Sequence, residues 1–243
     1  MTLNLVTYVF QGSDAHRTER GHGVNRLRRG VHQSNNALVL FQLYFLPSRI
    51  LDTVEHVVIA GEEIAHVDRW IRRDLELREA LVKGLAIRAL WQVRKLSTTG
   101  KKPILFLDEP YLSGYGSAFT PLDRHDVISL IKEVMDYLRE REDVLLGIHC
   151  CGNTDWSMIF ETGPDIISFD AFSHMDYFLL YPEAISRFIG RGGIISWGIV
   201  PTGEQAGKES AEGLVLRIAE ALTKFEKWGL ARKEVARRSL LTP

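Results

Sequence analysis

The segment His149-Cys150-Cys151-Gly152-Asn153-Thr154-Asp155-Trp156 sets an imidazole and a thiol two residues apart, just where an apolar run ends. That run, Val144-Leu145-Leu146-Gly147-Ile148, reads as a β-strand. Side chains alternate faces along a strand, so His149 and Cys151 project to one side and Cys150 to the other. Nitrogen and sulfur donors on one face suit zinc, which makes His149 and Cys151 candidate metal ligands; Cys150 is expected to face packed helices. The plain alternative is a histidine bonded to a backbone carbonyl beside two small buried thiols.

Three other apolar runs end in residues that could share this chemistry. Ile104 to Asp108 closes on Asp108-Glu109-Pro110, Ile166 to Asp170 closes on a carboxylate, and Ile194 to Trp197 ends at Trp197-Gly198. On the second of these, Ile166, Ser168 and Asp170 share a face. If the strands are parallel, all these ends lie along one rim, where a parallel α/β barrel keeps its chemistry. Asp108, Glu109 and Asp170 are therefore the candidate catalytic acids, Asp108, Glu109 and Trp197 the candidate substrate contacts, and Asp170 a third candidate metal ligand. Each acid also has a structural reading: Asp108 and Glu109 can satisfy loop amides, and Asp170 can cap a helix. Asn153-Thr154-Asp155 reads as a helix start capped by Asn153 or Thr154, and His174 as a loop residue.

The elements that must carry these residues are legible from about Asp74 onward, where helical periodicity alternates with short apolar runs. Leu77, Leu81, Leu85 and Ala89, widened by Val82, Ala86, Leu90 and Val93, form an apolar helical face that stops near Gly100. A Gly- and Ser-rich loop, Tyr111 to Phe119, leads to a helix capped by Thr120 or Asp123, with Pro121 suited to a first helical position. Val127, Ile131, Val134 and Leu138 form its core stripe, and Leu214, Ile218, Ala221 and Phe225 form that of a last long helix. Strands this continuously apolar belong in a parallel sheet covered by helices. The expectation is an α/β fold of the (β/α)8 TIM-barrel type over residues 73–243. It looks incomplete at its N-terminal side and at its last strand, which begins at Ser239 and stops at Pro243. Residues 1–72 read as an atypical leader. His16 to His32 is dense in Arg, His and Gly, and only Leu5 to Phe10 and Ala37 to Leu46 look like strands. Such composition buries little apolar surface, which favours a poorly ordered segment over a basic, anion-binding arm.

Thirty basic and 31 acidic side chains leave a net charge of −1, so charge offers no case for a nucleic acid or an anionic membrane as partner. The two cysteines are neighbours, which excludes a disulfide framework and favours a reducing, cytoplasmic setting. No basic segment followed by an apolar one opens the chain, and the longest apolar stretch, Ala37 to Leu46, is too short to span a bilayer.

At Phe-Leu-Asp-Glu-Pro (106–110), His-Cys-Cys-Gly-Asn-Thr-Asp-Trp (149–156), Ile-Ser-Phe-Asp (167–170) and Trp-Gly-Ile-Val-Pro-Thr (197–202) the chain resembles the superfamily that joins cobalamin-independent methionine synthase and uroporphyrinogen decarboxylase. The resemblance spans about Leu75 to Pro243 and is closest to stand-alone methionine-synthase-like proteins. It implies a (β/α)8 barrel in which His149, Cys151 and Asp170 hold zinc, Asp170 standing where the family has a longer Glu. The family's fourth ligand, a distant Cys after a Thr-Pro or Asn-Pro step, has no counterpart before the chain stops at Thr242-Pro243. The Asp-Glu-Pro motif implies that Asp108 holds a substrate amine. The implied activity is methyl transfer from a small-molecule donor to a small-molecule thiol; a folate or a corrinoid, the latter carried by a corrinoid protein, could supply the methyl. Two alternatives accompany this reading: a metal-free, decarboxylase-like barrel, and a catalytically incompetent fragment.

Overall fold

The computed structural model describes residues 4–10, 33–34, 37–40, 75–118, 122–202 and 205–243. Its centre is a run of five parallel strands with helices between them, so the α/β class stands: β4 (Pro103–Asp108), β5 (Leu145–Cys150), β6 (Ile166–Phe169), β7 (Ile194–Gly198) and β8 (Ser239–Thr242). Each pairs with the next in chain order. The helices are α1 (Leu75–Ser97), α2 (Arg124–Arg139), α3 (Trp156–Glu161), α4 (Ala171–Phe178), α5 (Pro182–Gly190), α6 (Ala211–Lys227) and α7 (Arg232–Arg237). Part of the loop after β4 winds into a 3-10 turn over Pro110–Gly114. No helix among the described residues is long and apolar enough to cross a membrane.

The leader adds β1 (Asn4–Phe10), β2 (Gln33–Ser34) and β3 (Ala37–Leu40), giving the strand order β2-β3-β1-β4-β5-β6-β7-β8. Here the all-parallel expectation fails, because β1 runs antiparallel to both β4 and β3. Antiparallel pairing between neighbours needs no crossover helix. Among the described residues β8 pairs with β7 alone, and the two ends of the sheet do not meet. The Arg-rich stretch His16 to His32 lies outside the described residues, as do Thr120 and Pro121. Asp123 caps α2, its side chain accepting a hydrogen bond from the Asp126 amide.

The two faces of the sheet differ. Leu105, Leu107, Leu146, Ile148, Cys150, Ile167, Phe169, Ile195 and Trp197 pack in one core with Val82, Ala89, Val127, Ile131, Ile185, Ile218 and Phe225 of the helices. The alternate residues Ile104, Phe106 and Ile166 form a second, smaller cluster backed by Leu145, Ile194 and Leu240, all of them strand residues. Among the described residues, alternation along each strand thus assigns one face to the helices and the other to the strands' own side chains. Gly147 lies on the strand-only face, where an added Cβ would sit 2.4 Å from the Phe106 ring; the missing side chain makes room for the phenylalanine.

Candidate active site

Strand register brings one polar residue from each of β4 to β7 into a row on the strand-only face. Asp108 pairs with His149, His149 with Ser168, and Ser168 with Ser196. Their neighbours Leu107, Ile148, Ile167 and Ile195 belong to the helix-packed core, so the row faces the other way. Within it His149 Nδ1 lies 3.0 Å from Ser168 Oγ, and Ser196 Oγ reaches diagonally to Thr242 Oγ1 on β8 at 3.2 Å. In the tautomer that donates from Nδ1 to Ser168, Nε2 keeps its lone pair for a metal or a proton.

Above the row, at the C-terminal ends of the strands, a cavity of about 360 Å³ is lined by His149, Cys151 and Asp170 together with Ser173, Gly198, Thr202 and Gln205. Phe172, Val200, Pro201 and Pro243 supply its apolar wall. Gly198 is required there: a Cβ would come within 2.7 Å of the Phe169 carbonyl oxygen. Cys151 is exposed, whereas Cys150 is fully buried in the helix-packed core, as alternation along the strand requires. Burial pushes the Cys150 thiol up to about 12, which keeps it protonated and inert. Asp170 is a helix cap that also borders the cavity. Its Oδ1 accepts a hydrogen bond from the Ser173 amide at 2.9 Å and caps α4, and the residue also lines the cavity.

Acids dominate the electrostatics. Burial raises the Asp108 carboxyl above its ordinary range, opposed by the charge of His149. Burial lowers the His149 imidazole and so favours its neutral form, opposed by Asp108 and Asp170. Glu109 lies deeper: it is 0 % exposed, neither carboxyl oxygen has a hydrogen-bond partner, and burial pushes it up to about 8. Its amide donates to the His149 carbonyl at 2.8 Å, which ties the ends of β4 and β5 together.

Trp197 stands apart from the cavity. It is fully buried on the helix side, its Nε1 donates to Ser239 Oγ at 2.9 Å, and its ring lies 5.6 Å from that of Phe169. The cap of α3 is Asp155, not Asn153 or Thr154; its Oδ1 accepts from the Ser157 amide and its Oδ2 pairs with Arg124 at 2.6 Å. Thr154 Oγ1 and Trp156 Nε1 are buried without partners. His174 sits inside α4 at a break in helical geometry (φ −124°, ψ 16°), not in a loop. Ser196 is the site residue that sequence reading passed over; its signal is its place two residues after Ile194, on the face that carries Ser168 in β6.

His149, Cys151 and Asp170 offer an imidazole nitrogen, a thiol sulfur and a carboxylate oxygen around one cavity, a donor set that suits zinc. Their ligand atoms do not all lie within 4.8 Å of one another; a metal would have to draw the three together. Among the described residues the group that meets that spacing is Asp123, His125 and Asp126 at the start of α2. That group is largely exposed, and Arg78 pairs with Asp126 at 3.0 Å.

No protein-family model, curated protein or solved structure matches the chain.

Proposed function

We propose that this protein is a zinc-dependent methyltransferase of the methionine-synthase-like type, passing a methyl group to a small-molecule thiol. The observation that carries this reading is the convergence of His149, Cys151 and Asp170, from the ends of β5 and β6, on one cavity. We further infer that β4 to β8 are the C-terminal units of a (β/α)8-type barrel. Five parallel strands paired in chain order, with the helices packed on one face and, among the described residues, strand side chains on the other, support this.

In this account His149, Cys151 and Asp170 would hold the metal. Zinc, when bound, would favour the thiolate form of a ligated thiol at neutral pH and so supply the nucleophile. The chain's own residues do the rest. Ser168 would orient the His149 ring, and burial favours the neutral form that can ligate. Asp108, beside His149 in the register, would accept a hydrogen bond from a substrate ammonium group. Glu109, protonated at neutral pH, would support the rim as a neutral acid. A folate and a corrinoid both remain candidate methyl donors, with a corrinoid protein as a partner in the second case, and a cytoplasmic setting is part of the reading. A metal-free, decarboxylase-like function would call for cations to grip substrate carboxylates, whereas no lysine or arginine lines the cavity among the described residues.

The test is a methyl-transfer assay on zinc-loaded protein with homocysteine as thiol, read by mass spectrometry. Product that disappears in His149→Ala and Cys151→Ser supports the reading. No product with folate, corrinoid or small onium donors would sink it and leave the catalytically incompetent fragment in its place.

A further inference from the structure

A second cavity, of about 270 Å³, lies in the helix layer between α3 and α5 and shares no lining residue with the first. Ser157, Phe160 and Glu161 line it from α3; Ala184, Arg187 and Phe188 line it from α5, and Arg191 from just past that helix's end. Phe160 and Glu161 come shortly before β6, and Phe188 and Arg191 shortly before β7. The cavity therefore lies toward the N-terminal ends of the strands, away from the rim that carries His149.

Its floor is aromatic. Phe160 and Phe188 are both buried and meet edge to face, with ring centroids 5.3 Å apart. Its charge is positive and only partly answered. The Arg191 amide donates to the Arg187 carbonyl at 3.1 Å, so helical geometry continues between them and the two side chains are neighbours on one face, where like charges repel. Arg191 is held in place: its Nη2 donates to the Pro164 carbonyl at 3.0 Å, and its guanidinium lies 5.3 Å from the Phe188 ring centroid. Arg187 is exposed and has no hydrogen bond or ion pair among the described residues. The nearby acids are already engaged. Arg124 Nη2 donates to Glu161 Oε1 at 2.7 Å and to Ser157 Oγ at 3.3 Å, which also fixes the α3 wall. Asp165 Oδ2 accepts from Arg139 at 3.2 Å and from the Leu146 amide at 2.9 Å. A cation near the end of α5 suits the helix dipole, but the dipole does not call for two guanidiniums beside one aromatic-floored cavity.

We propose that this second cavity binds a small organic carboxylate with a flat apolar body, at a site separate from that of His149 and independent of methyl transfer. The carboxylate sits between Arg187 and Arg191, whose planar forks match its geometry and whose mutual repulsion it relieves. The apolar body lies on Phe160, Ala184 and Phe188.

Isothermal titration calorimetry of benzoate into the full chain tests this. Inorganic phosphate serves as an anion without the ring, and benzylamine as a ring with the opposite charge. Because Arg187 is exposed and unpaired, Arg187→Gln and Arg187→Glu should unfold at the wild-type denaturant midpoint. Arg237→Gln removes an exposed arginine of α7 that is outside the lining. Benzoate should bind saturably, one per chain, in the millimolar range expected of so small a ligand. Its affinity should fall about tenfold or more in Arg187→Gln, vanish in Arg187→Glu and stay unchanged in Arg237→Gln. Benzylamine should not bind. The proposal is overturned by no saturable benzoate binding, by wild-type affinity in Arg187→Gln, by an equal loss in Arg237→Gln, or by phosphate or benzylamine binding as tightly as benzoate.

Discussion

His149 Nδ1 lies 3.0 Å from Ser168 Oγ across the β5–β6 register pair. A serine hydroxyl can donate to Nδ1 or accept from it, so the contact orients the ring without choosing its tautomer. Ser168→Ala should therefore loosen His149 without removing it. The expected result is a fall in zinc affinity of about 10- to 100-fold with a stability loss of only about 1 kcal/mol. Zinc titration with a competing chelator, alongside urea unfolding, checks both. Unchanged affinity would mean that Ser168 does not orient the ring.

Glu109 gives the protein a pH dependence with a definite sign. Its folded value, about 8, lies above its ordinary 4.5 because the carboxyl is buried. Folding therefore favours the protonated form. The stabilising contribution is fully present below about 4.5 and is lost as pH rises through about 8. Between those limits the slope approaches about 1.4 kcal/mol per pH unit. Glu109→Gln stays neutral throughout, so the stability difference between wild type and variant should change across this window and level off outside it. Denaturant midpoints from pH 4 to 9 supply the measurement; parallel curves for the two proteins would contradict the assignment.

The neighbouring cysteines should behave as opposites. Cys151 is exposed at the cavity, while Cys150 is buried with its thiol pushed up to about 12. Iodoacetamide should label Cys151 in the native protein and reach Cys150 only on unfolding, as peptide mapping would show. Labelling of both at one rate in folded protein would place Cys150 outside the core.

Gly147 and Phe106 form a lock on the strand-only face. A Cβ at Gly147 would lie 2.4 Å from the Phe106 ring, so Gly147→Ala should destabilise by about 1–3 kcal/mol. Adding Phe106→Leu should make the pair of changes less costly than their separate sum, since the smaller side chain relieves the clash. Strict additivity would show that the two do not meet.

Much of this arrangement was legible in the amino-acid order. The apolar runs ending at Asp108, His149, Asp170 and Trp197 became strands because continuous apolar residues suit a sheet buried on both faces. Strand alternation sent Cys150 into the core and kept His149 and Cys151 on one cavity. The rest depended on register and phase, which a single strand does not carry. Ser196 joins the row only because β7 pairs with β6 at that offset. Thr154 and Asp155 are both sound caps, and the structure uses Asp155, which also pairs with Arg124 of α2. Trp197 sits at a strand end like the site residues, yet its parity places it with Phe169 and Phe225 in the core. Nothing local to Asn4–Phe10 distinguishes an antiparallel partner of β4 from a parallel one.

The central claim is that His149, Cys151 and Asp170 hold a metal. Elemental analysis of freshly purified protein, stripped of loosely held ions, tests it most directly. The account predicts near one zinc per chain, lost in His149→Ala and Cys151→Ser and retained in Cys150→Ser. Zinc absent from wild-type protein and not taken up on addition, or equal loss in both cysteine variants, would contradict it.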